Sequence, residues 1–272
     1  MSPSATLPVG TEMREWRQRR HLSQLDLPVD AEVPTRHLSF VETGRAMPSR
    51  EMVLRLADRR AVPLREHDRL LTSAGFAPTY AKRPVDDPAL DAAPPLASRT
   101  WKPTSRFPHL RSTGHWNLVF HNAAADALLQ KGIAPQLLQA PVNVLRVSPH
   151  PKGLAPRIVN FAQWCAHLFE WLHHQIGLTA DTTLAALADE LAGHPAPALG
   201  DAAAFTFKPN TSIVVPLVLE TPLGQLSFIS TMTVFGTPVG ITCSELALQT
   251  FFPADAATAR ALRLAAEVRE AS

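Results

Sequence analysis

Apolar residues recur at helical spacing through the first eighty residues of the chain. Met13 and Trp16 are three residues apart, so that both face the same side of a helix whose arginines face outward. Ser23 is a good N-cap for a short helix that begins at the next residue, and Gly44 suits the left-handed residue that ends one. Five helices are predicted, which cover about 11–20, 24–31, 35–42, 50–59 and 63–74. The sequence therefore predicts an all-α head over residues 1–80.

From His115 onward the pattern becomes a mixture of alternating and helical segments. Strands are predicted over about 116–122, 212–221, 225–235 and 245–252. Helices are predicted over about 123–130, 156–177 and 182–191, and a last one is capped by Asp255. Residues 81–114, which are rich in Pro, Arg, Ser and Thr, have the composition of an interdomain linker. An α+β domain with an antiparallel sheet is therefore expected over residues 115–272.

Charge and composition narrow the class of protein. Residues 1–84 carry 14 Lys and Arg against 10 Asp and Glu, whereas the remainder carries 12 against 14, so the head is the basic part of the chain. No apolar run reaches the ~18 residues of a membrane-spanning helix, and the N-terminus lacks the apolar region of a signal peptide. The two cysteines, Cys165 and Cys243, form neither a zinc pattern nor a disulfide framework, which fits a reducing cytoplasm.

The segment from Ser23 to Arg45 has the pattern of two short helices joined by a tight turn, the second of them basic and polar. Such a pattern is typical of a helix that enters the major groove of double-stranded DNA. Leu38 and Val41 face the core, which leaves five side chains to contact bases: Thr35, Arg36, His37, Ser39 and Phe40. Arg36 can bind a guanine edge with two hydrogen bonds. The alternative is that some of these side chains contact only phosphate or solvent.

Four further side chains of the head are candidates for binding DNA phosphates. Gln24 stands at the start of a helix, where the side chain and the helix N-terminus can both bind an anion. Arg17, Arg45 and Arg50 are the candidate basic contacts, and the alternative for each is a solvated surface charge. A single reading helix covers few bases, so a homodimer that binds two half-sites is expected to supply the affinity.

The second domain offers apolar side chains rather than reactive ones. Eleven of them could line a ligand pocket between the sheet and the helices: Leu118, Phe120, Phe161, Trp164, Leu168, Ile213, Val215, Leu217, Phe228, Ile229 and Met232. The same residues would equally make an ordinary core. No nucleotide-binding or nucleophile motif is present, and the histidines lack the spacing of metal ligands. Neither an enzyme nor a metal or other cofactor is therefore expected, and Asn122 and Arg157 are expected to tie loops to helix ends.

Long segments of both halves resemble one family. In the head these segments are SQLDL, TRHLSFVETGR, PSREMVLRLAD, VPLRE and SAGFAPTY; in the second half they are HWNLVFHNAAADALL, NVLRVSPHPKGLAPRIVNF and FISTMTVFGTPVGITCSELALQTFFPADAATA. Together they resemble the XRE-type helix-turn-helix, MmyB-like transcriptional regulators. The resemblance implies a sequence-specific DNA-binding regulator whose C-terminal domain is PAS-like. It also implies that this domain senses a fatty-acyl or other small apolar ligand.

The chain departs from the family pattern at several positions. Pro28 and Glu32 stand where Ala and Gly are expected, Pro34 replaces a Ser N-cap, and Arg60 replaces an apolar residue. A proline inside a helix costs about 3 kcal/mol, so the head is expected to be less stable than its relatives. The alternative function is therefore a protein-interaction module, or a decayed regulator whose head no longer binds DNA.

The linker departs further, because the family has a helix and a buried strand there. We hypothesise that residues 92–114 are translated out of frame, since a back-translation into GC-rich codons, read one base earlier, can give family-like sequence. The sensor domain would then lack its first strand and expose an unpaired sheet edge. The alternative is a divergent linker in the native frame.

Overall fold

The computed structural model describes residues 8–24, 34–80, 106–129, 132–193, 214–234 and 245–270. These residues fall into two compact units, one formed by 8–24 and 34–80 and the other by 106–270 with its gaps. Residues 25–33, which include Pro28 of the predicted second helix and Glu32 of the turn after it, lie outside the described residues, as do Ile213, Cys243 and the segment 81–105.

Four helices form the described part of the head: α1 (Val9–Arg19), α2 (Thr35–Glu42), α3 (Arg50–Arg59) and α4 (Leu64–Ser73). The bounds of α2 and α3 agree with the sequence prediction because their ends carry local signals. Ser49 caps α3 by accepting a hydrogen bond from the backbone N–H of Met52 at 3.2 Å. Gly44 follows α2 with a φ of 73°, in the left-handed region where glycine is not strained.

The core of the head lies between α1 and the helices that follow it. It is formed by the apolar stripes of all four helices: Met13, Trp16, Leu38, Val41, Met52, Val53, Leu56, Ala57, Leu70, Leu71 and Ala74. Gly10 at the start of α1 lies so close to the end of α2 that a Cβ on it would overlap the carbonyl oxygen of Val41. This close approach, together with the buried stripe, fixes α2 against α1.

The second unit is built on a five-stranded antiparallel sheet. Its strands are β1 (His109–Ser112), β2 (Leu118–His121), β3 (Leu217–Thr221), β4 (Gly224–Val234) and β5 (Ala247–Pro253). Their order in the sheet is β2-β1-β5-β4-β3, so that the first and last strands in sequence lie side by side at its centre. β3 and β4 form the predicted hairpin, in which Gly224 has a φ of 94°.

Helices cover one face of the sheet. They are α5 (Ala123–Leu129), α6 (Val144–Val147), α7 (Phe161–Thr179), α8 (Thr182–Ala192) and α9 (Ala256–Glu270). Asp181 caps α8, and Asp255 caps α9 as predicted; each carboxylate accepts a backbone N–H of the first turn. The long helix α7 begins at Phe161 rather than Pro156, because Pro156 lies in a separate short 3-10 helix, Ala155–Arg157.

Asn122 and Arg157 tie loops and helix ends together, as the sequence analysis expects. The side-chain oxygen of Asn122 accepts the N–H of His109 at 3.1 Å and that of Ala125, in the first turn of α5, at 3.0 Å. Arg157 donates to the carbonyl oxygen of Leu128, at the end of α5, at 2.8 Å. Both side chains therefore serve the architecture of the sheet and its covering helices.

The expected loss of the first strand is wrong. His109–Ser112, inside the segment predicted as a linker and hypothesised to be out of frame, forms β1. It pairs with β2 on one side and with β5 on the other, with Leu110 opposite both His121 and Gln249. Because β1 has two neighbours, it is an interior strand and leaves no edge exposed at this position.

Candidate functional sites

The first candidate site is the exposed side of α2. Arg36 and His37 are exposed, whereas Thr35, Ser39 and Phe40 are half-buried, and Leu38 beneath them is fully buried. The guanidinium carbon of Arg36 lies 5.5 Å from the centroid of the Phe40 ring, one helical turn further on. This stacking holds the Arg36 side chain along the helix surface. The five residues predicted to contact bases therefore share one helix, with its buried stripe behind them.

Two of the predicted phosphate contacts, Arg45 and Arg50, are exposed beyond the C-terminal end of α2 and at the start of α3. Arg50 donates to the hydroxyl of Thr79 at 2.7 Å, and its guanidinium retains further donors. Arg45 forms no ion pair with any residue that the structure describes. Gln24 is half-buried, and its amide nitrogen donates to Glu42 at 2.9 Å.

The prediction that Arg17 points outward, to bind phosphate, is wrong. Arg17 is buried, and its Nε and Nη2 donate to the two carboxylate oxygens of Glu42 at 2.8 and 2.9 Å. Its remaining nitrogen, Nη1, donates to the carbonyl oxygen of Leu22 at 2.9 Å. The planar guanidinium matches the carboxylate in two-point geometry. Arg17 therefore fixes the end of α2 to α1 instead of facing DNA.

Arg60 adds a second buried guanidinium to this ion pair. Its Nη2 lies 3.5 Å from Glu42, and the side chains of both residues are 1% exposed. The pKa of Arg60 is lowered to about 10. Burial is the main cause, the nearby Arg17 guanidinium adds to the lowering, and the Glu42 carboxylate opposes it. Nε of Arg60 has no hydrogen-bond partner among the described residues. The position at which an apolar residue is expected thus holds an incompletely satisfied charge.

The second candidate site is a cavity between the sheet and the helices of the second unit, with a volume of about 70 Å³. Its walls come from β1, β3, β4 and β5 on one side and from α5, α6 and α7 on the other. The lining residues are Pro108, Leu110, Trp116, Ala125, Leu128, Leu129, Val144, Leu145, Val147, Ser148, Leu154, Trp164, Leu168, Leu217, Leu219, Phe228, Gln249 and Phe251. None of these side chains is ionisable, so the cavity is suited to an apolar ligand.

Four of the residues predicted to line a pocket do line this cavity: Trp164, Leu168, Leu217 and Phe228. Phe161 and Val215 lie instead in the core beside it, and Met232 packs on a neighbouring core cluster. Leu118, Phe120 and Ile229 do not line it either. Ile229 follows Phe228 in the same strand and therefore points to the opposite face, where it is 36% exposed.

Trp116 is a cavity residue that the sequence analysis missed. It is buried with a φ of 64°, a left-handed conformation that is rare for a bulky side chain. Its indole N–H donates to Gln175 at 3.0 Å, and Gln175 in turn donates to the carbonyl oxygen of Gly114 at 3.0 Å. The Trp171 ring contacts it edge-on with centroids 4.9 Å apart. Strained residues of this kind cluster at ligand sites, but no local sequence signal marks them.

Other reactive groups in the described residues form no site. His173 and His174 are exposed, and no group of three or more potential metal ligands occurs in these parts of the chain. Cys165 is buried in the core, which raises the pKa of its thiol to about 12. A thiol that stays protonated is a poor nucleophile. No described helix is long and apolar enough to cross a membrane.

The fold and the two sites define a helix-turn-helix regulator joined to a separate ligand-binding domain, and comparison with known families agrees. Residues 8–70 match the helix-turn-helix domain, and residues 104–265 match the MmyB-like transcription regulator ligand binding domain. The second match covers more than half of the chain, which therefore belongs to the MmyB-like transcription regulators. No curated protein matches it. The chain is thus a DNA-binding transcription regulator with a ligand-binding domain, which confirms the resemblance.

The match to the ligand-binding domain begins within the segment hypothesised to be out of frame. Residues 104–114 belong to the match, and four of them form β1. Both observations weigh against a shifted frame in this part of the segment. The earlier part, residues 92–103, lies outside the described residues.

Proposed function

We propose that the chain binds its operator through the exposed side of α2 and that a small apolar ligand in the cavity of the second unit controls this binding. In this account residues 1–80 act as the DNA-binding domain, and the cavity-bearing domain extends from about residue 106 to the C-terminus. The observation that carries the proposal is the cavity, because a space lined by apolar side chains with no ionisable group favours an apolar ligand, such as a fatty-acyl compound.

The proposed base contacts are Thr35, Arg36, His37, Ser39 and Phe40. Arg36 is the main candidate for sequence recognition, because its exposed guanidinium can bind both O6 and N7 of a guanine. Arg45 and Arg50 are proposed to bind phosphates on either side of the groove. Gln24 can join them through the second N–H of its amide, since the other donates to Glu42.

We also propose that the regulator acts as a homodimer in the cytoplasm. One helix of eight residues reads few base pairs, and two heads on half-sites one helical turn apart would supply the remaining affinity. The strand order β2-β1-β5-β4-β3 supports the expectation of a PAS-like sensor. A ligand can change operator affinity only as far as it binds the DNA-competent arrangement more or less tightly than the other.

A DNA-binding experiment separates this function from the alternative of an interaction module or decayed regulator. Operator fragments selected by the full chain from a random DNA library are titrated by fluorescence anisotropy at several salt concentrations. Sequence-specific affinity that falls steeply with salt is expected, because each neutralised phosphate contributes a slope of about −0.9 in log K against log salt. Failure to enrich any sequence, with no binding at low salt, would support the alternative.

A separate experiment tests the ligand. Native mass spectrometry of the purified full chain is expected to detect bound apolar compounds, and long-chain acyl compounds should raise its unfolding temperature. If no bound compound is detected and no acyl compound raises the unfolding temperature, the proposed ligand class is contradicted. The DNA and ligand experiments are independent, so either half of the proposal can fail without the other.

A further inference from the structure

Two polar side chains interrupt the otherwise apolar lining of the cavity, Ser148 and Gln249. The indole N–H groups of Trp116 and Trp164 also lie in its wall, but each already donates to a protein acceptor, Gln175 and Ser148 respectively. The hydrogen-bonding capacity left for a ligand is therefore concentrated at these two side chains.

Gln249 lies near the centre of the sheet. It is in β5, opposite Leu110 of β1 and Met232 of β4, so its side chain projects from the covered face of an interior strand. Its amide makes no side-chain hydrogen bond to the described residues. The side chain is half-buried and lines the cavity, so its amide remains accessible to a ligand group there.

Ser148 offers a second donor. Its hydroxyl oxygen accepts the indole N–H of Trp164 at 3.1 Å, and its own proton has no acceptor among the residues described. A hydroxyl and a primary amide can both donate and accept hydrogen bonds without carrying charge. Together they match an alcohol, ester, amide or protonated acid.

No Lys, Arg or His side chain of the described residues lines the cavity. Arg146 binds Glu190 through two hydrogen bonds of 2.7 Å at the surface of the domain. Arg157 donates to backbone carbonyl groups of Leu128 and Glu220, and it does not line the cavity. An ionised carboxylate without a partner is costly to bury, and such a group binds in its protonated form instead.

We infer that the ligand of this cavity is an apolar chain that ends in an uncharged hydrogen-bonding group, which binds at Gln249 and Ser148, and that an ionised fatty acid is excluded. This inference rests on the proposed function, because it assumes that the cavity takes an apolar ligand. It narrows that ligand to a neutral alcohol, ester or amide, or to a fatty acid that has taken up a proton.

The test compares 1-decanol with decanoic acid, which have equal chain lengths. Binding to the full chain is followed by tryptophan fluorescence, because Trp116 and Trp164 line the cavity. The Kd of 1-decanol should be the same at about pH 6 and about pH 8. The Kd of decanoic acid should rise about 100-fold, because the protonated fraction of a carboxylic acid with a pKa near 4–5 falls tenfold per pH unit.

Variants at Gln249 test the proposed hydrogen bond, and a variant at another position of the sheet provides the control. Gln249→Leu should weaken 1-decanol about 3- to 10-fold, since one hydrogen bond is lost, and leave decane unchanged. Gln249→Met repeats the test with a more flexible side chain. Gln225→Leu lies at an exposed position of the β3–β4 hairpin and should change the Kd of neither 1-decanol nor decane.

Two results would overturn the inference in distinguishable ways. Decanoic acid that binds at about pH 8 as tightly as 1-decanol would refute the neutral head group while leaving the apolar-ligand proposal in place. Absence of binding by decane, 1-decanol and decanoic acid alike would refute that proposal and this inference together.

Discussion

The guanidinium of Arg17 binds both carboxylate oxygens of Glu42, although the two residues are 25 positions apart in the chain. Glu42 is the last residue of α2, and Arg17 is in α1. The pair therefore fixes the C-terminal end of the helix proposed to read DNA. Because both side chains are buried, removal of Glu42 leaves the Arg17 guanidinium as an uncompensated charge.

Glu42→Gln is expected to destabilise the head strongly. The variant leaves Arg17 and Arg60 buried without a counterion, and breaking a buried pair costs about 3–5 kcal/mol. Hydrogen exchange of peptides from 9–24 and 34–60, measured by mass spectrometry in the full chain, should show the loss. Glu51→Gln is the control, because the pair of Glu51 with Arg55 is exposed and worth under about 1 kcal/mol. Equal protection in both variants would contradict this assignment.

Acid should weaken the head through the same carboxylate. Burial alone raises the pKa of Glu42, but hydrogen bonds from Arg17 and Gln24 outweigh it, and the net pKa lies below its usual value of 4.5. A group whose pKa is lower in the folded protein than in the unfolded chain stabilises the fold at pH values above the unfolded pKa. This stabilisation is lost as the pH falls through the folded pKa. Exchange protection of the head should thus be level above about pH 5.5 and decline below about pH 4.5. The decline should be shallower in Glu42→Gln, and identical profiles would exclude Glu42 as its source.

Arg60→Met is expected to stabilise the head. Arg60 is buried with an unpaired Nε among the described residues, and Arg17 and Gln24 remain to satisfy Glu42. The substitution removes the desolvation penalty of an incompletely paired buried charge, which amounts to several kcal/mol per ion, and leaves the Arg17–Glu42 pair intact. Urea unfolding monitored by exchange protection of the head measures the gain. A loss of more than about 1 kcal/mol would instead indicate that Arg60 is a necessary partner of Glu42.

The elements that sequence reasoning placed well are those with local signals. The helices α2 and α3 have their predicted bounds because Ser49, Gly44 and the apolar stripes act within a few residues. Arg17 was misplaced because its partner Glu42 is distant in sequence. Nothing near an arginine on a helix indicates that a carboxylate from another helix will cover it.

The sheet and the cavity depend on pairings that sequence patterns reveal poorly. β1 is four residues long and includes His109 and Arg111, so its apolar signal is weak, and its strand character comes from pairing with β2 and β5. Hydrophobicity favours both Phe228 and Ile229 as pocket residues, although consecutive strand residues face opposite sides. Gln249 carries no such signal because it is polar, yet register places it in the cavity.

Arg36→Ala should relax the operator at one position. Loss of a two-point contact to guanine is expected to cost about 1–3 kcal/mol on the best operator and far less on one substituted at that base pair. Arg50→Ala is the contrasting variant, because loss of a phosphate contact weakens all sequences alike and lowers the salt slope by about 1. Anisotropy titrations on the operator and its single substitutions measure both. Uniform weakening by Arg36→Ala would show that Arg36 contacts phosphate instead.

The central claim is that a ligand in the cavity of the second unit changes the affinity of the head for DNA. Its most direct test is the operator Kd of the full chain with and without a saturating cavity ligand such as 1-decanol, with occupancy checked by tryptophan fluorescence. The ligand should shift the operator Kd by about 5- to 150-fold, the usual range of coupling between two sites. An unchanged operator Kd at full occupancy of the cavity would contradict the account.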